Sequence, residues 1–195
     1  MNRESILPSV LAGDAPRVVD PPMDSDAFAG FYERSARPLW AYLARVSGDR
    51  ALADDLMQES FLRFLCASLP EPVMADGEVA ARRYLFRIAT NLLRDHWRRF
   101  RPASIEGIPE EFFAAKTAPD SADVLGPALV LMRPRERQLL WLAYAEGYTH
   151  REIAEVTGLA SASIRLLLFR ARRKIASLLR KQSVSPSSES KRRQP

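Results

Sequence analysis

The chain has one cysteine, Cys66, and only two histidines, His96 and His150, among its 195 residues. A lone cysteine forms no intramolecular disulfide, and two distant histidines with one thiol give no metal-ligand spacing. A reducing, cytoplasmic home is therefore expected. Cys66, on a helical stretch beside Phe64 and Leu65, reads as buried packing rather than as a redox sensor. Glycine is scarce, eight in all, and none falls in a phosphate-binding loop pattern; nor does any nucleophile stand with an orienting base. Enzyme chemistry and a bound cofactor have no positive support. No apolar run is long enough to cross a bilayer, and the opening residues lack the apolar core of a secretory signal, so direct membrane insertion is not expected.

What is present is apolar content sufficient for a core, 47% of the residues, and a net charge of +5. That charge is segregated. Residues 82–101 carry seven arginines against one acid, and 165–174 carry four arginines and one lysine with no acid, whereas 106–123 hold five acids and one lysine. Charge runs are commonly solvated helix faces, so the accompanying pattern has to decide their meaning.

Helical periodicity organises the chain. Residues 1–23 show no sustained period and read as a disordered leader. A helical block of three or four helices spans 24–100, broken by Gly48-Asp49-Arg50 and by a Pro- and Gly-containing stretch at 70–78. Residues 101–123 have linker composition, a second helical block covers 124–182, and 183–195 form a Ser-rich basic tail. No strand alternation appears. The expected fold is all-α, two small helical domains joined by a flexible linker.

The second block has helix-turn-helix grammar. Pro134 suits the first turn of a helix carrying Leu139, Leu140, Leu142 and Ala143, and Gly147 supplies the left-handed residue that ends it. Thr149 and Glu152 have capping-box spacing at the start of a short helix. Gly158 then permits a tight turn, and Ser161 can cap a longer helix with Ile164, Leu168, Ala171 and Ile175 as its core stripe. Arg165, Arg170, Arg172, Arg173 and Lys174 lie on the other faces. A short helix, a glycine turn and a basic second helix fit docking in a major groove.

The first block carries two further patterns. Between Ala51 and Leu65, Leu56, Met57, Phe61, Phe64 and Leu65 can face a core, while Asp55, Gln58, Glu59 and Leu62 share another face. That face is either ordinary solvated surface or a docking face for a basic partner helix. Downstream, Ala81, Leu85, Ile88 and Leu92 form a buried stripe, and Arg83, Arg87, Asn91, Arg94 and Arg98 form a basic track. Tyr84, Trp97 and Phe100 are interleaved with it. Each ring could be core, yet cations and aromatic faces together are what single-stranded nucleic acid requires.

The stretches FYERSARPLWAYLARVSGDRALADDLMQESFLRFL, YLFRIATNLLRDHWRR and RPRERQLLWLAYAEGYTHREIAEVTGLASASIRLLLFRARRKI, in that order, resemble bacterial extracytoplasmic-function sigma factors. The resemblance covers well over half the chain, and its D-L-x-Q-E-x-F-L-R block is quite specific. It implies a dissociable transcription initiation subunit of core RNA polymerase. Asp55, Leu56, Gln58, Glu59 and Arg63 would dock on the beta-prime clamp helices. Tyr84, Arg87, Asn91, Arg94, Trp97, Arg98 and Arg99 would hold the melted downstream promoter element, Tyr84 standing where the family more commonly has Trp. Ser161, Ser163, Arg165, Arg170 and Arg172 would contact the upstream promoter DNA. Leu166 and Leu167 depart from the polar or basic pair of many members; each is either core or an apolar contact to a thymine methyl. The resemblance also implies an anti-sigma factor as a partner, though no residue identifies it. The rival reading is a stand-alone helix-turn-helix regulator, which would bind duplex DNA without polymerase.

Overall fold

The computed structural model describes residues 23–67, 77–100 and 125–184. Residues 1–22, 68–76, 101–124 and 185–195, which hold most of the expected leader, most of the Pro- and Gly-containing break, the expected linker at 101–123 and the tail, lie outside the described residues, as does the side chain of Phe100. All regular structure described is helical.

Helix α1 spans Ser25–Ser47. Asp24 caps it, its carboxylate accepting from Ala27 N–H at 2.8 Å, and Gly48, with φ of 78°, ends it in the left-handed conformation. Helix α2 follows at once over Arg50–Leu65, capped by Asp49, and α3 runs Gly77–Phe100. The three pack as one cluster around Phe31, Leu39, Tyr42, Leu43, Phe64, Leu85, Phe86 and Leu93, all essentially inaccessible to solvent. Stacked rings at its centre, Phe31 on Phe64 with centroids 5.0 Å apart, join α1 to α2. Each such buried side chain contributes roughly 1.5–3 kcal/mol.

The second cluster comprises α4 (Gly126–Val130), α5 (Pro134–Tyr144), α6 (His150–Thr157) and α7 (Ser161–Val184). Its interior is Met132, Leu139, Leu142, Ile153, Val156, Ile164, Leu168 and Ala171. Pro134 begins α5, Thr149 caps α6 and Gly158 ends it, as the sequence predicts. Ser161 is the first helical residue of α7 rather than a residue before it.

The two clusters do not stand apart. Helix α5 packs on α1, α6 packs on α3, and one continuous apolar core runs through both. Polar groups are buried at this junction. Gln138 of α5 donates to the Tyr42 hydroxyl of α1 at 2.6 Å, and that hydroxyl shares a 2.6 Å hydrogen bond with Thr90 of α3. Burial pushes the Tyr42 phenol up to about 12. Arg137, 2% exposed, donates to the Val46 carbonyl in the last turn of α1 at 2.8 Å. No carboxylate among the described residues pairs with Arg137, and burial lowers its guanidinium to about 10. The guanidinium therefore stays charged at neutral pH, and the carbonyl end of α1, which accepts its hydrogen bond, supplies compensating negative dipole.

Candidate polymerase and nucleic-acid interfaces

Helix α2 separates its faces as its periodicity predicts. Ala53, Leu56, Phe61 and Phe64 are buried, whereas Asp55, Gln58, Leu62 and Arg63 are exposed and Glu59 is half-buried. Asp54 accepts from the Trp40 indole at 2.7 Å, a further tie between α2 and α1. Glu59 accepts from Arg63 one turn on at 2.7 Å. Leu56, assigned above to the docking face, is only 8% exposed and belongs to the core. The exposed apolar member of that face is Leu62, at 59%. Cys66 is likewise corrected: it follows the last residue of α2 and is exposed, not buried packing.

Helix α3 brings its basic residues to two neighbouring faces. Arg87, Arg94, Arg98 and Arg99 are exposed, Asn91 is half-buried, and Arg94 donates to the Asn91 side chain at 2.7 Å. Tyr84 and Trp97 are half-buried against the core, with the Tyr84 ring centroid 6.3 Å from that of Phe64. Arg82 and Arg83 turn to the other cluster. Arg82 reaches Glu146 at 2.6 Å, and Arg83 reaches Glu152 at 3.0 Å and Glu155 at 3.6 Å. The Arg94 guanidinium lies beside Gly158 in the turn after α6. Part of the basic track of α3 is thus already engaged by acids of the helix-turn-helix unit, a connection the sequence did not signal because the partners lie more than 60 residues apart.

In the helix-turn-helix unit, Thr149 and Glu152 close their capping box reciprocally, with Glu152 accepting from Thr149 N–H at 2.8 Å and Thr149 Oγ1 accepting from Glu152 N–H at 3.3 Å. The backbone N–H of Thr149, then its hydroxyl, then Arg83 hold the Glu152 carboxyl below the usual range. Helix α7 buries Ile164, Leu168 and Ala171 and exposes Ser161, Ser163, Arg165, Arg170, Arg172 and Arg173. Lys174 bridges to Glu136 of α5 at 2.8 Å. The leucine pair splits. Leu167 is half-buried against the core, whereas Leu166 is 51% exposed, and Phe169 beside it is 49% exposed. Among the described residues no helix is long and apolar enough to cross a membrane, and no three metal-binding side chains cluster.

These geometries agree with comparisons to known proteins. Residues 31–101 match the model of Sigma-70 region 2, and residues 125–175 match that of Sigma-70, region 4. The chain is 28% identical over 161 residues to the ECF RNA polymerase sigma factor SigL of Mycobacterium tuberculosis, covering 79% of this chain and 89% of that protein. It is 30% identical over 162 residues to the RNA polymerase sigma factor CarQ of Myxococcus xanthus, covering 79% and 90%. A similar solved structure is the sigma factor RpoE of Bartonella quintana in complex with the anti-sigma factor NepR, with a TM-score of 0.55 at 19% identity over 78% of this chain and 96% of that one. With both regions matched in order, one on the α1–α3 cluster and one on the helix-turn-helix unit, the chain belongs to the ECF RNA polymerase sigma factors.

Proposed function

We propose that this sigma factor docks on core RNA polymerase through the outward face of α2, holds the unpaired downstream promoter element on α3, and reads the upstream duplex with α7. It is a dissociable initiation subunit that recognises promoters and carries no catalytic chemistry of its own. The observation that carries the assignment of roles is the α2 face. The Asp55 and Gln58 side chains are exposed and make no hydrogen bond or ion pair among the described residues, and Leu62 projects between polar neighbours. An exposed leucine framed by acids suits a basic, amphipathic partner helix, and the clamp helices of the beta-prime subunit are the proposed partner. Arg63 flanks the same face.

On α3, the exposed Arg87, Arg94, Arg98 and Arg99 supply phosphate contacts, and Asn91, with the half-buried rings of Tyr84 and Trp97, supplies contacts to unstacked bases. Opening DNA costs a few kcal/mol in lost stacking, and these contacts offset it. On α7, Ser161, Ser163 and Arg165 lie near the helix start, where base edges are reached, and Arg170 and Arg172 supply backbone contacts. Such work takes place in the cytoplasm, and an anti-sigma factor is part of the same proposal.

The test combines purified protein with bacterial core polymerase and measures comigration and promoter-specific open-complex formation, with a Gln58→Ala, Glu59→Ala double variant alongside. The reading expects the wild type to do both and the variant to lose core binding. Duplex binding by the wild type alone, with no affinity for core polymerase, would return the stand-alone regulator.

A further inference from the structure

Helix α7 needs one apolar stripe for its core, and it has two. Ile164, Leu168 and Ala171 face inward and are buried. Ala162, Leu166, Phe169 and Arg173, at i, i+4, i+7 and i+11, form the line on the opposite side of the helix from the buried stripe. Leu166 and Phe169 are each about half exposed, and Arg173 places its guanidinium 5.8 Å from the Phe169 ring centroid. Arg165, Arg170 and Arg172 are exposed on either side. Leu167 already supplies the half-buried contact to the core, so packing does not account for Leu166.

An apolar strip inside a ring of arginines fits a surface that is polyanionic at its rim and apolar at one point. The ring favours duplex DNA, whose phosphates flank the groove. In the major groove the base edges offer donors and acceptors, with one apolar exception, the 5-methyl group of thymine. Leucine has no hydrogen-bonding group and cannot read the others.

We infer that Leu166 is a specificity-determining residue, seating the 5-methyl group of one thymine of the upstream promoter element while Phe169 closes the contact to water. The inference rests on the reading of α7 as the upstream-duplex reader and adds to it the chemistry of the discrimination. Removing one buried methyl group costs roughly a factor of four in affinity.

The experiment uses holoenzyme assembled from the full chain and core polymerase. A promoter is first selected from a random duplex library, and each thymine of its upstream element is then replaced singly by deoxyuridine, which keeps every hydrogen bond and deletes only the methyl group. Binding is measured for the wild type, Leu166→Ala and Leu166→Ser. The expected result is one position at which uracil weakens the wild type about four-fold and leaves both variants unaffected. Promoter binding by the wild type that is indifferent to uracil at every position overturns the inference and leaves the function standing, as does an upstream element selected without thymine. A wild type that forms no holoenzyme overturns the functional reading and this inference together. Loss of a protein partner by Leu166→Ala, with uracil sensitivity unchanged, overturns the inference and assigns the strip to that partner.

Discussion

Replacing Tyr42 by phenylalanine removes one oxygen from the junction of the two helical clusters, and its effect can be worked from the structure. The hydroxyl accepts from Gln138 Nε2 at 2.6 Å and shares a 2.6 Å bond with Thr90 Oγ1, in a site where Tyr42 has no accessible surface. Without it, Gln138 retains only the Thr90 oxygen, 3.4 Å away and outside good hydrogen-bonding range. A buried amide left without an acceptor costs about 1–3 kcal/mol, so Tyr42→Phe should destabilise by about 2 kcal/mol. Gln138→Leu in the same background removes the orphaned donor and should recover part of that loss, because replacing both partners by apolar groups is nearly neutral. Urea unfolding followed by circular dichroism gives the two single variants and the double variant, with an unchanged slope confirming that the transition itself has not changed. Tyr42 lies in α1 and Gln138 in α5, so their coupling energy reports the packing of one cluster on the other in solution. Additivity within about 0.3 kcal/mol would refute the reasoning, because groups that do not touch do not couple.

Further outcomes follow from the same geometry. The Tyr42 phenol is raised by burial from its ordinary value near 10 to about 12, so the folded state holds this proton more tightly than the unfolded state; the associated stability is complete below about pH 10 and is lost as pH rises through about 12. The urea-midpoint gap between wild type and Tyr42→Phe should therefore narrow across that window, and a constant gap would contradict it. Thr149→Ala removes the hydroxyl half of the α6 capping box and should cost about 1 kcal/mol in thermal or urea unfolding. Gly158→Ala should cost about 1 kcal/mol through backbone strain alone, because the residue sits at φ of 70° while an added Cβ would meet only the end of Arg94 at 3.6 Å. Arg83→Glu would set three carboxylates together at the α3–α6 contact, so that labels on α2 and α7 should move apart at low salt; an unchanged distance would show that the ion pairs do not hold the clusters together.

The helix-turn-helix unit was legible in the sequence because its punctuation is local. Thr149, Glu152 and Gly158 act on backbone groups within a turn of themselves, and nothing distant competes with them. The α2 face was legible because α2 has one buried side, although Leu56 shows that a motif residue can stand next to the proposed docking face while pointing into the core. Helix α5 was harder. It meets α7 and also α1, and its second buried side is made of Arg137 and Gln138, residues that a period of apolar positions marks as surface. The contacts of Arg82 and Arg83 with Glu146, Glu152 and Glu155 were invisible for a related reason: complementary charge is abundant along the chain, and only the fold selects which pairs meet. Cys66 was misread because its neighbours are apolar, whereas its position just past the end of α2 exposes it.

The pairing of Glu146, Glu152 and Glu155 with arginines of α3 also bears on affinity. A nucleic-acid strand that requires Arg82 or Arg83 meets competitors tethered on the same chain, whose effective concentration is set by the protein and not by the solution. If the closed packing is favoured by about 2 kcal/mol, only about 3% of free molecules present those arginines, and the apparent dissociation constant rises roughly thirty-fold. A partner that separates the clusters repays that factor without touching DNA, and a partner that staples them together enlarges it. Any engagement of nucleic acid that uses Arg82 or Arg83 would thus be adjustable at Glu146, Glu152 and Glu155, residues that need never contact a base.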